Sequence, residues 1–198
     1  MTHTRRRTLE VATTASITAL AGCLGGRDAI RRGGDDGDPG SPEGSSGDGT
    51  LGDPAAAVEV TVVTRPSPQF EPGLVHVEPG GTVRWLVEGP RHDVTAYHSD
   101  VDRPQRVPDG TDAFESGLLR EGHEFEHTFD DPGVYDYVDT RRLCGSHEAL
   151  GAVGRVVVGW PELETEPALE HDVSGLPSRA ETVMAAYDER TREALAEV

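Results

Sequence analysis

The stretch Val134–Gly159, VYDYVDTRRLCGSHEALGAVGRVVVG, decides how this chain is read. Val134–Val138 and the strongly apolar Val153–Val158 read as two strands. Between them a short Gly-rich turn carries Cys144 and, three residues on, His147. Thiolate and imidazole are both donors to first-row metals, and a Cys-x2-His loop gripped by two strands brings both within reach of one ion. Such a clamp needs a further strong donor from elsewhere in the chain.

Upstream, Val58, Val60 and Val62 alternate with Glu59 and Thr61, the pattern of a half-buried strand. Leu74–Val77 reads as a second strand, closed by the turn signature Glu78-Pro79-Gly80-Gly81. In 82–87, Val83, Trp85 and Val87 share one face, so this is a core strand. His92–Tyr97 comes after the Gly89-Pro90 break as another, and 99–120 reads as a long loop punctuated by Pro104, Pro108, Gly110 and Gly117. His123–Phe129 alternates again, with Phe125 and Phe129 together, before the turn Asp131-Pro132-Gly133. About seven short strands parted by Pro/Gly turns predict an all-β, two-sheet antiparallel sandwich. Beyond Trp160-Pro161 the pattern changes to an acidic connector and then a helix over Ser178–Glu197. Ser178 and Glu181 form a capping box, Asp188 and Arg192 stand at i, i+4, and Val183, Met184, Tyr187 and Leu195 give an apolar side. That side is expected to pack on the sandwich.

The formal charge of −18 rests on 36 acidic residues, and all 18 basic ones are Arg. So acidic a surface favours solubility in strong brine, which points to a salt-adapted protein, and it repels phosphates, which excludes nucleic acid as a partner. Residues 1–23 read as an export signal of the twin-arginine type. Arg5-Arg6-Arg7 precedes a mild apolar run, Val11–Ala21, shorter than the roughly 20 apolar residues of a membrane span. The flank lacks the aromatic of that pattern, and Leu20-Ala21-Gly22-Cys23 resembles a lipobox with Cys23 as the lipidated residue. Residues 24–54, Gly, Asp, Ser and Pro with almost nothing to bury, read as a flexible tether. The expected organisation is therefore signal and lipobox over 1–23, linker over 24–54, a folded head over 55–160, and connector plus helix over 161–198. Such a chain is exported and held by lipid at the outer face of the cell membrane.

With Cys23 committed to lipid, Cys144 is an unpaired thiol in an exported protein and calls for a role. His92 is the favoured remote donor, because it opens a strand next to the Trp85 strand. His76, His98, His123, His127 and His171 compete; His123 and His127 fall on the Phe125 face, where a structural histidine is the ordinary outcome. Cys plus two His with an open position is also the ligand set of a catalytic zinc, for which Glu148 is the one nearby base. A metal-free binding sandwich, with Cys144 as a buried spectator thiol, is a further alternative.

Three segments carry a family resemblance: TVRWLVEGPRHDVTAYH over 82–98, GHEFEHTFDDPGVYDY over 122–137 and CGSHEALGAVGRVVVG over 144–159. Over residues 57–159 the chain resembles the plastocyanin-like blue copper proteins of the cupredoxin superfamily, notably the halocyanin type of salt-loving archaea. The resemblance implies a Greek-key cupredoxin sandwich with one type 1 copper ion held by His92, Cys144 and His147. The family's axial Met falls five residues after the second His, where this chain has Ala152. Without that sulfur the site is three-coordinate with a raised potential, or admits water. A second departure is Asp139-Thr140-Arg141-Arg142-Leu143, longer than the family's direct run from strand into Cys. The implied function is electron transport by a monomer, not catalysis, between membrane-associated redox partners. His147 is expected at the surface as the electron's exit, with docking over Leu150, Ala152 and Val153. A copper carrier or sensor, or a degenerate metal-free cupredoxin, are the alternatives.

Overall fold

The computed structural model describes residues 51–141, 146–170 and 173–196. The expected signal, Cys23, most of the tether, Cys144 and His171 lie outside the described residues. Seven strands occur among the described residues: β1 (Ala55–Val63), β2 (Gln69–Glu71), β3 (Leu74–Val87), β4 (Thr95–Ala96), β5 (Glu124–Phe129), β6 (Gly133–Val138) and β7 (Val153–Val158). They join in the order β2-β1-β3-β7-β6-β4, with β5 on β3. The result is an all-β sandwich with an added C-terminal helix, as expected.

Alternation explains which faces are buried. Val60 and Val62 of β1 and Val83, Trp85 and Val87 of β3 point inward, while Arg84 stays outside against Glu59. Trp85 is the centre of the core: Tyr137 meets it edge-on at 5.3 Å, and Phe114 and Phe125 lie over it at 6.3 and 5.5 Å. β6 and β7 are buried on both faces, one against this core and the other under the C-terminal segment.

Three expectations change. Leu74–Val87 is one extended run rather than two strands. Its first part pairs in parallel with β7 and its second in parallel with β1, and Glu78-Pro79-Gly80 is the exposed bend between them, with Gly80 at φ +80. Parallel pairing at these two places makes the sheets mixed rather than wholly antiparallel, which alternation cannot disclose. The strand expected over His92–Tyr97 shrinks to Thr95–Ala96, and His92 makes only an isolated bridge to Leu119.

The helix α2 (Ser178–Ala196) comes after a short α1 (Pro167–Glu170) and packs on the sandwich through Ala180 and Met184, both fully buried against Tyr97, Val138 and Val153. The expected Asp188–Arg192 pairing gives way to stronger partners. Arg192 donates to the Leu169 carbonyl, and Asp188 accepts from Arg155 at 2.6 Å. Arg155 also forks onto Asp136 at 2.6 and 2.9 Å, Arg106 reaches Asp136 at 2.8 Å, and Arg155 donates to Thr191. Two buried guanidiniums thus sit between two carboxylates, and the cluster fastens α2 to β6 and β7.

Candidate metal centre

The ends of β1, β3 and β6 and the start of β7 gather at one end of the sandwich, and there the chemistry collects. His92 and His147, 55 positions apart in the chain (147 − 92), lie with ring centroids 5.1 Å apart and are 0% and 1% exposed. Their Nδ1 atoms point at one atom, Asp139 Oδ2, at 2.6 and 2.7 Å. One donor atom from each of the three residues falls within 4.8 Å of the others.

Each residue is fixed by its neighbours in the chain. The first residue past β6 is Asp139, whose N–H donates to the Ala152 carbonyl and whose Oδ1 accepts from the Arg141 N–H. Asp93, next to His92, accepts from the Thr140 N–H and hydroxyl, both at 2.6 Å, and pairs with Arg141 at 2.7 Å. The two sides of the site are therefore cross-braced. The His147 backbone N–H donates to the Arg141 carbonyl, and the His147 carbonyl accepts from the Ala152 N–H. Behind His92, Nε2 meets the Thr64 hydroxyl at 2.8 Å. That hydroxyl can donate or accept, so the ring can present Nδ1 either as N–H or as a bare donor. A Cβ on Gly89 would collide with both Thr64 Oγ1 and His92 Nε2, so glycine is needed for this approach.

Burial raises the cost of ionising the Asp139 carboxyl, but the hydrogen bonds from His92, His147 and Arg141 outweigh it and hold the group below the ordinary aspartate value. For Asp93 burial wins over the Thr140 bonds, and its carboxyl is pushed up. Ala152 is 1% exposed and offers only a methyl group to this end of the core.

Of the competing histidines, His76 bonds the Gly52 and Gly159 carbonyls, His98 caps the turn at Ser99–Val101, and His127 stacks on Phe114. None of these reaches His147, and His123 is exposed. The expected surface position of His147 is corrected: it opens the turn Glu148–Leu150 and is itself 1% exposed. Of the expected docking residues, Leu150 is 42% exposed, whereas Ala152 and Val153 are buried. Asp139 and Thr64 escaped the sequence reading. The signal for Asp139 was there: an acid directly after a strand that in the resembling family runs straight into Cys.

Two convergent imidazoles at one end of a β-sandwich agree with a cupredoxin. The family model of copper binding proteins, plastocyanin/azurin family, matches residues 56–159, and the chain belongs to that family. It is a copper-binding electron-transfer protein, and imidazole pairs of this kind suit copper. Among its relatives, the halocyanin of Natronomonas pharaonis is 33% identical over 171 residues, 78% of this chain and 96% of that protein. A pseudoazurin of Methylorubrum extorquens is 31% identical over 126 residues, 60% of this chain and 76% of that one. The crystal structure of native pseudoazurin from Hyphomicrobium denitrificans superposes with a TM-score of 0.51 at 20% identity, covering 72% of this chain and 98% of that one. At that identity it speaks for the fold alone.

Proposed function

We propose that this chain is a lipid-anchored electron carrier whose copper is held by His92, His147 and Cys144, with Ala152 leaving the axial position without a sulfur donor. The observation that carries the reading is the pair of buried imidazoles whose Nδ1 atoms converge on one point. His147 sits on the same loop as the thiol, in Cys-x2-His spacing. Copper supplies one-electron exchange between Cu(II) and Cu(I). The protein's part is to hold the donors still and dry. His92 is fixed by Thr64 and by its bridge to Leu119, and His147 by backbone bonds to Arg141 and Ala152. Little then has to move when the charge changes.

The role is transfer without catalysis, and the partners are redox proteins at the membrane. Residues 1–23 carry the export signal and Cys23 the lipid, and 24–54 tether the head of 55–160 at the outer face of the membrane. The charge of −18 suits a medium near molar salt, where exposed charges are screened within about 3 Å. Docking then rests on apolar contact, for which Leu150 stands exposed three residues from His147. The test is a visible spectrum during Cu(II) titration. An intense thiolate–Cu(II) band that disappears in Cys144→Ser is expected; a folded, copper-loaded protein with no such band would overturn the ligand set.

A further inference from the structure

We propose that Asp139 is itself a ligand of the metal, so that a carboxylate oxygen joins His92 and His147 in the centre; this rests on the reading of those two histidines as donors. Among the described residues, four of the five other buried acids lie against guanidiniums: Asp93 against Arg141, Asp136 against Arg106 and Arg155, Glu148 against Arg103, and Asp188 against Arg155; the fifth, Glu166, accepts from the Val134 N–H. Asp139, 0% exposed, faces two imidazoles instead. Buried carboxylates are paired or bind metal, and imidazole is itself a common metal donor. Oδ1 is occupied by the Arg141 N–H, which leaves Oδ2 as the atom aimed into the site.

A carboxylate that merely oriented a histidine would sit on the ring nitrogen facing away from the metal. Thr64 already holds that place on His92, at Nε2. Asp139 Oδ2 lies on Nδ1 of both rings, the side on which the two converge. It is therefore among the donors rather than behind them. The consequence is chemical: carboxylate oxygen is a harder donor than thiolate or thioether, and it favours Cu(II) over Cu(I). The raised potential expected from the missing Met is then offset or reversed.

The test uses the full chain carrying Cys144→Ser, stripped with a chelator and titrated with Cu(II). Adding Asp139→Cys should create an intense thiolate–Cu(II) band, because residue 139 touches the ion. Copper binding at His92 and His147 with no such band would overturn the proposal. Should that variant fail to fold, Asp139→Ala in the same background decides by competition titration. A loss of Cu(II) affinity beyond about 100-fold is expected, whereas a loss inside the roughly 10- to 100-fold range of an orienting residue would overturn the assignment. If His92→Ala and His147→Ala leave copper binding unchanged, the histidine reading fails separately.

Discussion

The buried charge cluster under α2 makes a sharp demand on stability. Asp188→Ala removes a carboxylate that both Arg106 and Arg155 use, and these guanidiniums are 1% and 0% exposed, so the buried positive charge loses part of its compensation. Removing one partner of a buried pair costs about 3–5 kcal/mol. The Asp188 side chain is 12% exposed, so water replaces part of what it gave, and the expected cost falls to about 2–4 kcal/mol. For a chain of this size that corresponds to a melting temperature lower by about 4–16 °C. Asp188→Asn keeps an oxygen for the 2.6 Å bond from Arg155 but not the charge, and should lose about half as much. Urea unfolding followed by far-UV circular dichroism measures both, and copper stoichiometry should not change. A cost below about 1 kcal/mol for Asp188→Ala would refute the reasoning. Asp136 and water would then suffice for both guanidiniums, and α2 would be held by Met184 and its apolar neighbours.

Two further outcomes rest on the close packing at Gly89 and at Glu166. Gly89→Ala drives a methyl group into Thr64 and His92, so it should weaken Cu(II) binding about tenfold, as loss of a ligand's outer hydrogen bond does, while the fold persists. Unchanged affinity in a competition titration would show that the Thr64 bond is dispensable. Burial pushes the Glu166 carboxyl above its ordinary value, although the Val134 N–H and the nearby Arg155 charge oppose this. A raised folded-state value means stability that is present at acid pH and lost as pH rises through the folded value. The wild type should therefore lose ground to Glu166→Gln as pH climbs above the ordinary glutamate value of about 4.3. A difference in melting temperature that stays flat with pH would show that Glu166 ionises at no cost.

The fold was legible where one face of a strand is buried and the other wet. Val58–Val62 and Val83–Val87 disclose their own faces, and the Pro/Gly turns disclose where strands stop. Alternation is silent about partners. Nothing in Leu74–Val77 says that it lies parallel to β7, and nothing in Asp188 says that its partner is Arg155, 33 residues away, rather than Arg192 on the next turn. The i, i+4 pair loses because an exposed helix pair is worth only about 0.3–0.5 kcal/mol, while a buried guanidinium left without its carboxylate costs several times that.

The site divides along the same line. His92 was legible because a core strand delivers the residues just beyond it to the end of the sandwich, and His147 because the Cys-x2-His loop announces itself. Asp139 showed only as an acid where the family's strand runs into Cys; its two contacts, spanning 47 and 8 residues, are recorded by no local spacing. Its context narrows what the centre can be. An acid placed at the strand's end, bound by both histidines and by the Arg141 N–H, cannot leave the site without abandoning three hydrogen bonds in a place water does not reach. Any account of the copper must therefore include that oxygen. It must also include the methyl of Ala152, which supplies no donor of its own. The carboxylate gained moves the donor set towards hard, and so towards the oxidised ion, against the raised potential expected from the lost thioether.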